Sequence, residues 1–104
     1  MMTERPALEV NHEAIASLCQ KWQVSRLSLF GSILRPDFDP RRSDVDVLVS
    51  FQPEARVGLI AMERIRDELA RVFGRRVDLL TPDGVQPDLL ARIHSSSEVL
   101  YAHP

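Results

Sequence analysis

Two aspartates alternate with valines in the segment SDVDVL (43–48). In an extended chain, residues two apart point the same way and lie about 6–7 Å apart along the backbone. Asp44 and Asp46 would therefore set two carboxylates on one face at the start of a strand. Asp78 interrupts a second apolar run, RRVDLL (75–80), in the same manner. Carboxylates brought together repel one another and resist burial. A bound divalent cation removes both difficulties, and oxygen-only ligands in an open site favour magnesium or manganese over zinc. Gly31-Ser32 supplies the complementary half. Glycine at a strand end lets a phosphate approach the backbone. A helical turn beginning at or just after Ser32 would offer free N–H groups and a positive dipole end to an anion. Singly, each feature has a plainer reading: Asp44 facing water at a strand start, and Gly31-Ser32 forming a turn. A calcium loop through Asp37, Asp39 and Asp44 is disfavoured, because it lacks the glycine and distal glutamate of an EF-hand.

Stepwise periodicity indicates the elements that must position these groups. Asn11 is a helix cap and Glu13 an acid in the first turn. Ile15, Leu18, Cys19 and Trp22 recur at helical spacing, predicting a helix over about 11–23. RLSLF (26–30) alternates as a short strand ending at Gly31-Ser32, with a helical turn at ILR (33–35) and a loop over PDFDPRRS (36–43) after it. DVDVLVSF (44–51) is the second strand, with Val45, Val47, Val49 and Phe51 on one face and Asp44, Asp46, Leu48 and Ser50 on the other. Leu59, Met62, Ile65, Leu69, Val72 and Phe73 trace a helical stripe closed by Gly74. RRVDLL is the third strand, DLLARIH (88–94) a further helix, and SSSEVLY (95–101) reads as a last helical turn. A helix joining the second and third strands predicts a right-handed crossover and parallel pairing. The first two strands, joined by a loop, are expected antiparallel, which brings Gly31-Ser32 beside Asp44.

The 104 residues suit one domain, with residues 1–9 as a loose lead-in. A hydrophobic content of 44% is enough for a packed core, and the net charge of −2 gives no electrostatic footprint for gripping nucleic acid. One cysteine excludes an internal disulfide or a cysteine zinc site and points to a reducing, cytoplasmic setting. No signal-peptide core and no run of membrane-spanning length is present in the sequence. His12, His94 and His103 share no ligand spacing, and Cys19, Trp22 and Phe73 fit core positions. Arg75-Arg76 reads as a polar strand entry.

The combination LFGSILRPDF…SDVDVLVSF, followed by RRVDLLTPD, resembles the nucleotidyltransferases of the DNA polymerase β superfamily. More narrowly, it is similar to the minimal nucleotidyltransferase (MNT) antitoxins encoded beside HEPN-domain toxins. The resemblance covers about residues 11–101. It implies an α+β, polymerase β-like fold with a small mixed sheet of about three strands flanked by helices. It also implies that Gly31 and Ser32 hold the triphosphate and that Asp44, Asp46 and Asp78 bind two Mg2+ ions, Mn2+ being an alternative. Asp78 would in addition help to deprotonate the acceptor hydroxyl, and Arg35 would touch phosphate. Eleven residues separate Ser32 from Asp44, one more than the family's usual loop, and Pro36 stands where many members have glycine or aspartate.

By this resemblance the protein is a magnesium-dependent nucleotidyltransferase that transfers AMP from ATP to a tyrosine of a HEPN ribonuclease toxin. Two other functions compete with it. One is an antitoxin that neutralises its partner by binding alone. The other is transfer to a small hydroxylated molecule, which is disfavoured because such enzymes usually carry an extra domain for the acceptor.

Overall fold

The computed structural model describes residues 10–31 and 44–103. The expected lead-in, the ILR turn and the 36–43 loop lie outside the described residues, as do Ser32, Arg35, Asp37 and Asp39. The first helix, α1 (His12–Lys21), starts where its cap predicts: the Asn11 side chain accepts a hydrogen bond from the Ala14 N–H at 3.1 Å. That bond satisfies one of the donors left over at any helix N-terminus. Trp22 closes the helix, and Gln23, at φ 57°, turns the chain into β1 (Val24–Phe30). Next come β2 (Val45–Phe51), α2 (Leu59–Phe73), β3 (Val77–Leu80), a 3-10 turn (Pro82–Gly84), α3 (Pro87–Ser96) and β4 (Glu98–Ala102). Gly74, at φ 70°, ends α2 in the left-handed conformation that suits glycine, its N–H bonded back to the Ala70 carbonyl at 2.8 Å.

The sheet runs β3-β2-β1-β4. β1 and β2 are antiparallel, while β2 and β3 are parallel, as their connecting helix requires. The valine face of β2 is fully buried: Val45, Val47 and Val49 pack with Leu27, Leu29 and Val77 against Ile15, Leu18 and Cys19 of α1 and Ile65, Leu69 and Phe73 of α2. Both helices thus cover one side of the sheet. The polar ends of α1 and α2 are tied together as well. Glu68 accepts from Lys21 Nζ at 2.9 Å and from the Trp22 indole N–H at 3.1 Å. Trp22 is accordingly half-buried, with its ring against the core and its N–H engaged.

Two expectations need correction. The segment 95–101 is not a last helical turn. α3 stops at Ser96, Ser97 is extended, and Glu98–Ala102 forms a fourth strand. It pairs antiparallel with β1, Leu27 facing Tyr101 and Ser28 facing Val99. The sheet therefore has four strands rather than about three. The open edge of β1 offers unpaired backbone groups, and satisfying them outweighs any local helical tendency of so short a run. Second, Leu59 does not join the core stripe of α2. It is 79% exposed and Ile60 beside it 71%, so the buried stripe begins further along the helix, at Ile65. Strand limits also move: β1 begins at Val24, β2 at Val45 and β3 at Val77.

Candidate active site

The face of the sheet opposite α1 and α2 carries the acids. In the parallel ladder Asp46 is the direct partner of Asp78, and Leu48 of Leu80. Paired positions on neighbouring strands lie about 4.8 Å apart with their side chains on the same face. Two carboxylates are thus set side by side, one exposed (Asp78) and one half-buried (Asp46). Across the antiparallel ladder Asp46 faces Phe30, and Ser28, itself buried, faces Leu48. The acids therefore stand at the end of the sheet where β1 finishes and β2 and β3 begin.

Gly31 follows directly, at φ 76°. A Cβ built there would run into the Asp46 carboxylate, whose Cγ would be 3.2 Å away and whose Oδ2 would be nearer still. The Asp46 side chain therefore lies over the Gly31 backbone, in space that a side chain at position 31 would fill. This accounts for the glycine on two grounds, backbone conformation and room for the acid, of which only an open backbone was legible in the sequence.

Asp44 is placed differently. It lies just before β2, and the strand start is pinned by the Val45 N–H bonding to the Arg76 carbonyl at 2.9 Å. The Asp44 Oδ1 is 3.4 Å from Arg76 Nε. Asp44 also lines a small cleft with Arg66, Asp67, Ala70, Arg76 and Val77, on the α2 side of the strand entry. The structure thus brings Asp46 and Asp78 together with Gly31 and turns Asp44 toward Arg76. Among the described residues, no three His, Cys, Asp or Glu side chains are gathered into a ready metal cage. The donor set nonetheless suits a hard divalent cation of the magnesium type. Such ions commonly take only one or two protein carboxylates and complete their shell with water and substrate phosphates. Ser32 and Arg35 lie outside the described residues. Sequence reasoning missed Arg76 as a neighbour of the acids. In the sequence it reads only as a polar strand entry, and no local spacing pairs it with Asp44.

The chain is similar to several known proteins. A Methanocaldococcus jannaschii protein named "Putative protein adenylyltransferase" is 38% identical over 79 residues, which span 76% of this chain and 82% of that protein. A solved structure described as a "putative minimal nucleotidyltransferase" superposes with a TM-score of 0.70 at 30% identity, covering 84% of this chain and 86% of the other. The fold also matches a chain from the complex of tri-AMPylated Shewanella oneidensis HEPN toxin with MNT antitoxin (TM-score 0.62, 20% identity, 88% and 70% covered). A further match is a toxin–antitoxin structure with AMP-PNP (TM-score 0.69, 22% identity, 90% and 75% covered). The nucleotidyltransferase domain family matches over residues 12–100, nearly the whole length, and the chain belongs to that family.

Proposed function

We propose that this nucleotidyltransferase is an antitoxin that transfers AMP from ATP to a tyrosine of a HEPN-domain ribonuclease toxin. The observation that carries the reading is the cross-strand pair Asp46–Asp78 beside Gly31. Asp44, Asp46 and Asp78 would hold Mg2+. Bound there, the metal would lower the pKa of the acceptor hydroxyl and offset charge on the phosphoryl oxygens. The chain's own contribution is placement. Gly31 makes room for the Asp46 carboxylate at the end of β1, and its neighbour Ser32 can add a hydroxyl donor for the triphosphate, with Arg35 as a further phosphate contact. Asp78, the more exposed acid of the pair, can accept the proton of the incoming tyrosine hydroxyl. Asp46, half-buried and seated on Gly31, is the better fixed of the two. The relatives' names support the substrate class: one is a protein adenylyltransferase by name, and another fold match was solved with an AMPylated HEPN toxin. No helix of the described residues is long and apolar enough to cross a membrane; separately, the single buried thiol suits a reducing compartment.

The test uses the intact protein, magnesium, ATP labelled in its α-phosphate, and the product of the neighbouring gene as candidate toxin. Label on a toxin tyrosine supports the proposal, and a tight unlabelled complex refutes it in favour of neutralisation by contact. Asp46→Asn, which keeps the shape and removes the charge, should abolish labelling while the melting temperature stays within a few degrees of wild type. Wild-type turnover in that variant would remove Asp46 from the site.

A further inference from the structure

The Asp44–Arg76 contact has a consequence for how the site is loaded, one that rests on the metal-dependent reading given above. Arg76 and Asp78 are two apart at the entry of β3, and Asp44 and Asp46 are two apart at the entry of β2. The parallel register sets Asp78 opposite Asp46, and one step earlier Val77 opposite Val45. Continuing it back places Arg76 alongside Asp44, where the two side chains meet at 3.4 Å. The order across the strands is thus acid beside acid, then acid beside base. Arg76 is held at its backbone by the Val45 N–H, while its side chain is 85% exposed. It is therefore fixed at its root and free at its head to exchange partners. The second arginine of the cleft, Arg66, has its Nε 4.0 Å from the carboxylate of its neighbour Asp67.

We infer that Arg76 is a built-in counter-cation for Asp44: it holds that carboxylate aside until a divalent ion competes for it. A guanidinium and a metal ion cannot both take the same carboxylate oxygens at close range without repelling each other. Arg76 therefore weakens binding of a bare ion. Metal arriving with a triphosphate is less affected, because the phosphate charge offsets that repulsion and offers the displaced guanidinium a new anion. Arg76 is a positioning residue in this scheme. Its effect is on the order in which metal and nucleotide enter, favouring the metal–nucleotide pair over the ion alone.

Mn2+ binding to the intact protein, followed by the loss of the free-ion electron paramagnetic resonance signal, tests this without turnover. Arg76→Gln should tighten Mn2+ binding in the absence of nucleotide by ~2–5-fold, the range set by an exposed ion pair. With a non-hydrolysable ATP analogue present, the difference should shrink or reverse. Arg76→Lys, which keeps the charge, should stay near wild type, and so should Arg66→Gln. Unchanged or weaker Mn2+ binding in Arg76→Gln overturns the inference while leaving the site intact. If Asp46→Asn fails to weaken Mn2+ binding in the wild-type background, the metal site itself is misassigned and both readings fall. Because Arg76 is exposed, the fold should be unaffected, and a melting curve checks that.

Discussion

Replacing Gly31 by alanine would impose two separable penalties. The first is conformational. At φ 76° an L-residue loses roughly 1–2 kcal/mol relative to glycine. In a domain of this size each kcal/mol lowers the melting temperature by about 4–8 °C, so a fall of ~4–16 °C is expected. The second penalty is local. The new methyl group would overlap the Asp46 carboxylate, which must swing away from the position paired with Asp78. Displacing a positioned group by about 1 Å costs on the order of 100-fold in rate. Gly74 provides the control, since it shares the left-handed conformation at φ 70° but a methyl group added there would meet nothing within 4 Å. Gly74→Ala should therefore melt earlier to a similar extent yet keep its transfer rate. Melting curves and AMP transfer to the proposed HEPN partner, assayed well below both transitions, would separate the two effects. Equal transfer rates in the two alanine variants would refute the claim that Gly31 exists partly to seat Asp46.

Two further predictions concern the core and the helix pair. The Lys21 hydrogen bond holds the Glu68 carboxyl below its ordinary pKa of 4.5, with partial burial opposing it and the Trp22 indole N–H assisting. A carboxyl with a lowered folded-state pKa stabilises the protein above its unfolded pKa, and that stability is lost as pH falls through the folded value. Glu68→Gln should thus lower stability at neutral pH by no more than ~1 kcal/mol, since the pair is solvent-screened. The gap to wild type should close in acid below 4.5; a gap that persists unchanged there would count against the ion pair. Cys19 is fully buried, and burial pushes its thiol up to about 12. A thiol reagent at mildly alkaline pH should label it only as fast as the protein opens, so prompt labelling of the native protein would contradict its core position.

The readable parts of this chain were those set by local spacing. Asn11 as a cap, the 3.6-residue stripe through Ile65, Leu69 and Phe73, Gly74 as a helix stop and the alternation in β2 all appear where their spacing predicts. The error at β4 came from the same local method. Val99, Leu100 and Tyr101 follow a serine-rich helix end, and nothing nearby in the chain reveals that β1 has an edge to fill. The exposure of Leu59 and Ile60 is of the same kind, because helical spacing reports a face and not which turns of the helix are covered.

By itself, then, the amino-acid order determined which residues could form strands and helices, that β2 and β3 run parallel, and that Asp44, Asp46 and Asp78 were the chemically unusual positions. Periodicity and crossover length are properties of a single chain segment, so they can be read without coordinates. Only the tertiary structure decided that Asp46 stands directly opposite Asp78, that its carboxylate rests on Gly31, and that Asp44 leans to Arg76. Register and side-chain direction are settled by contacts between residues far apart in the chain, where packing and charge across strands outweigh any local preference.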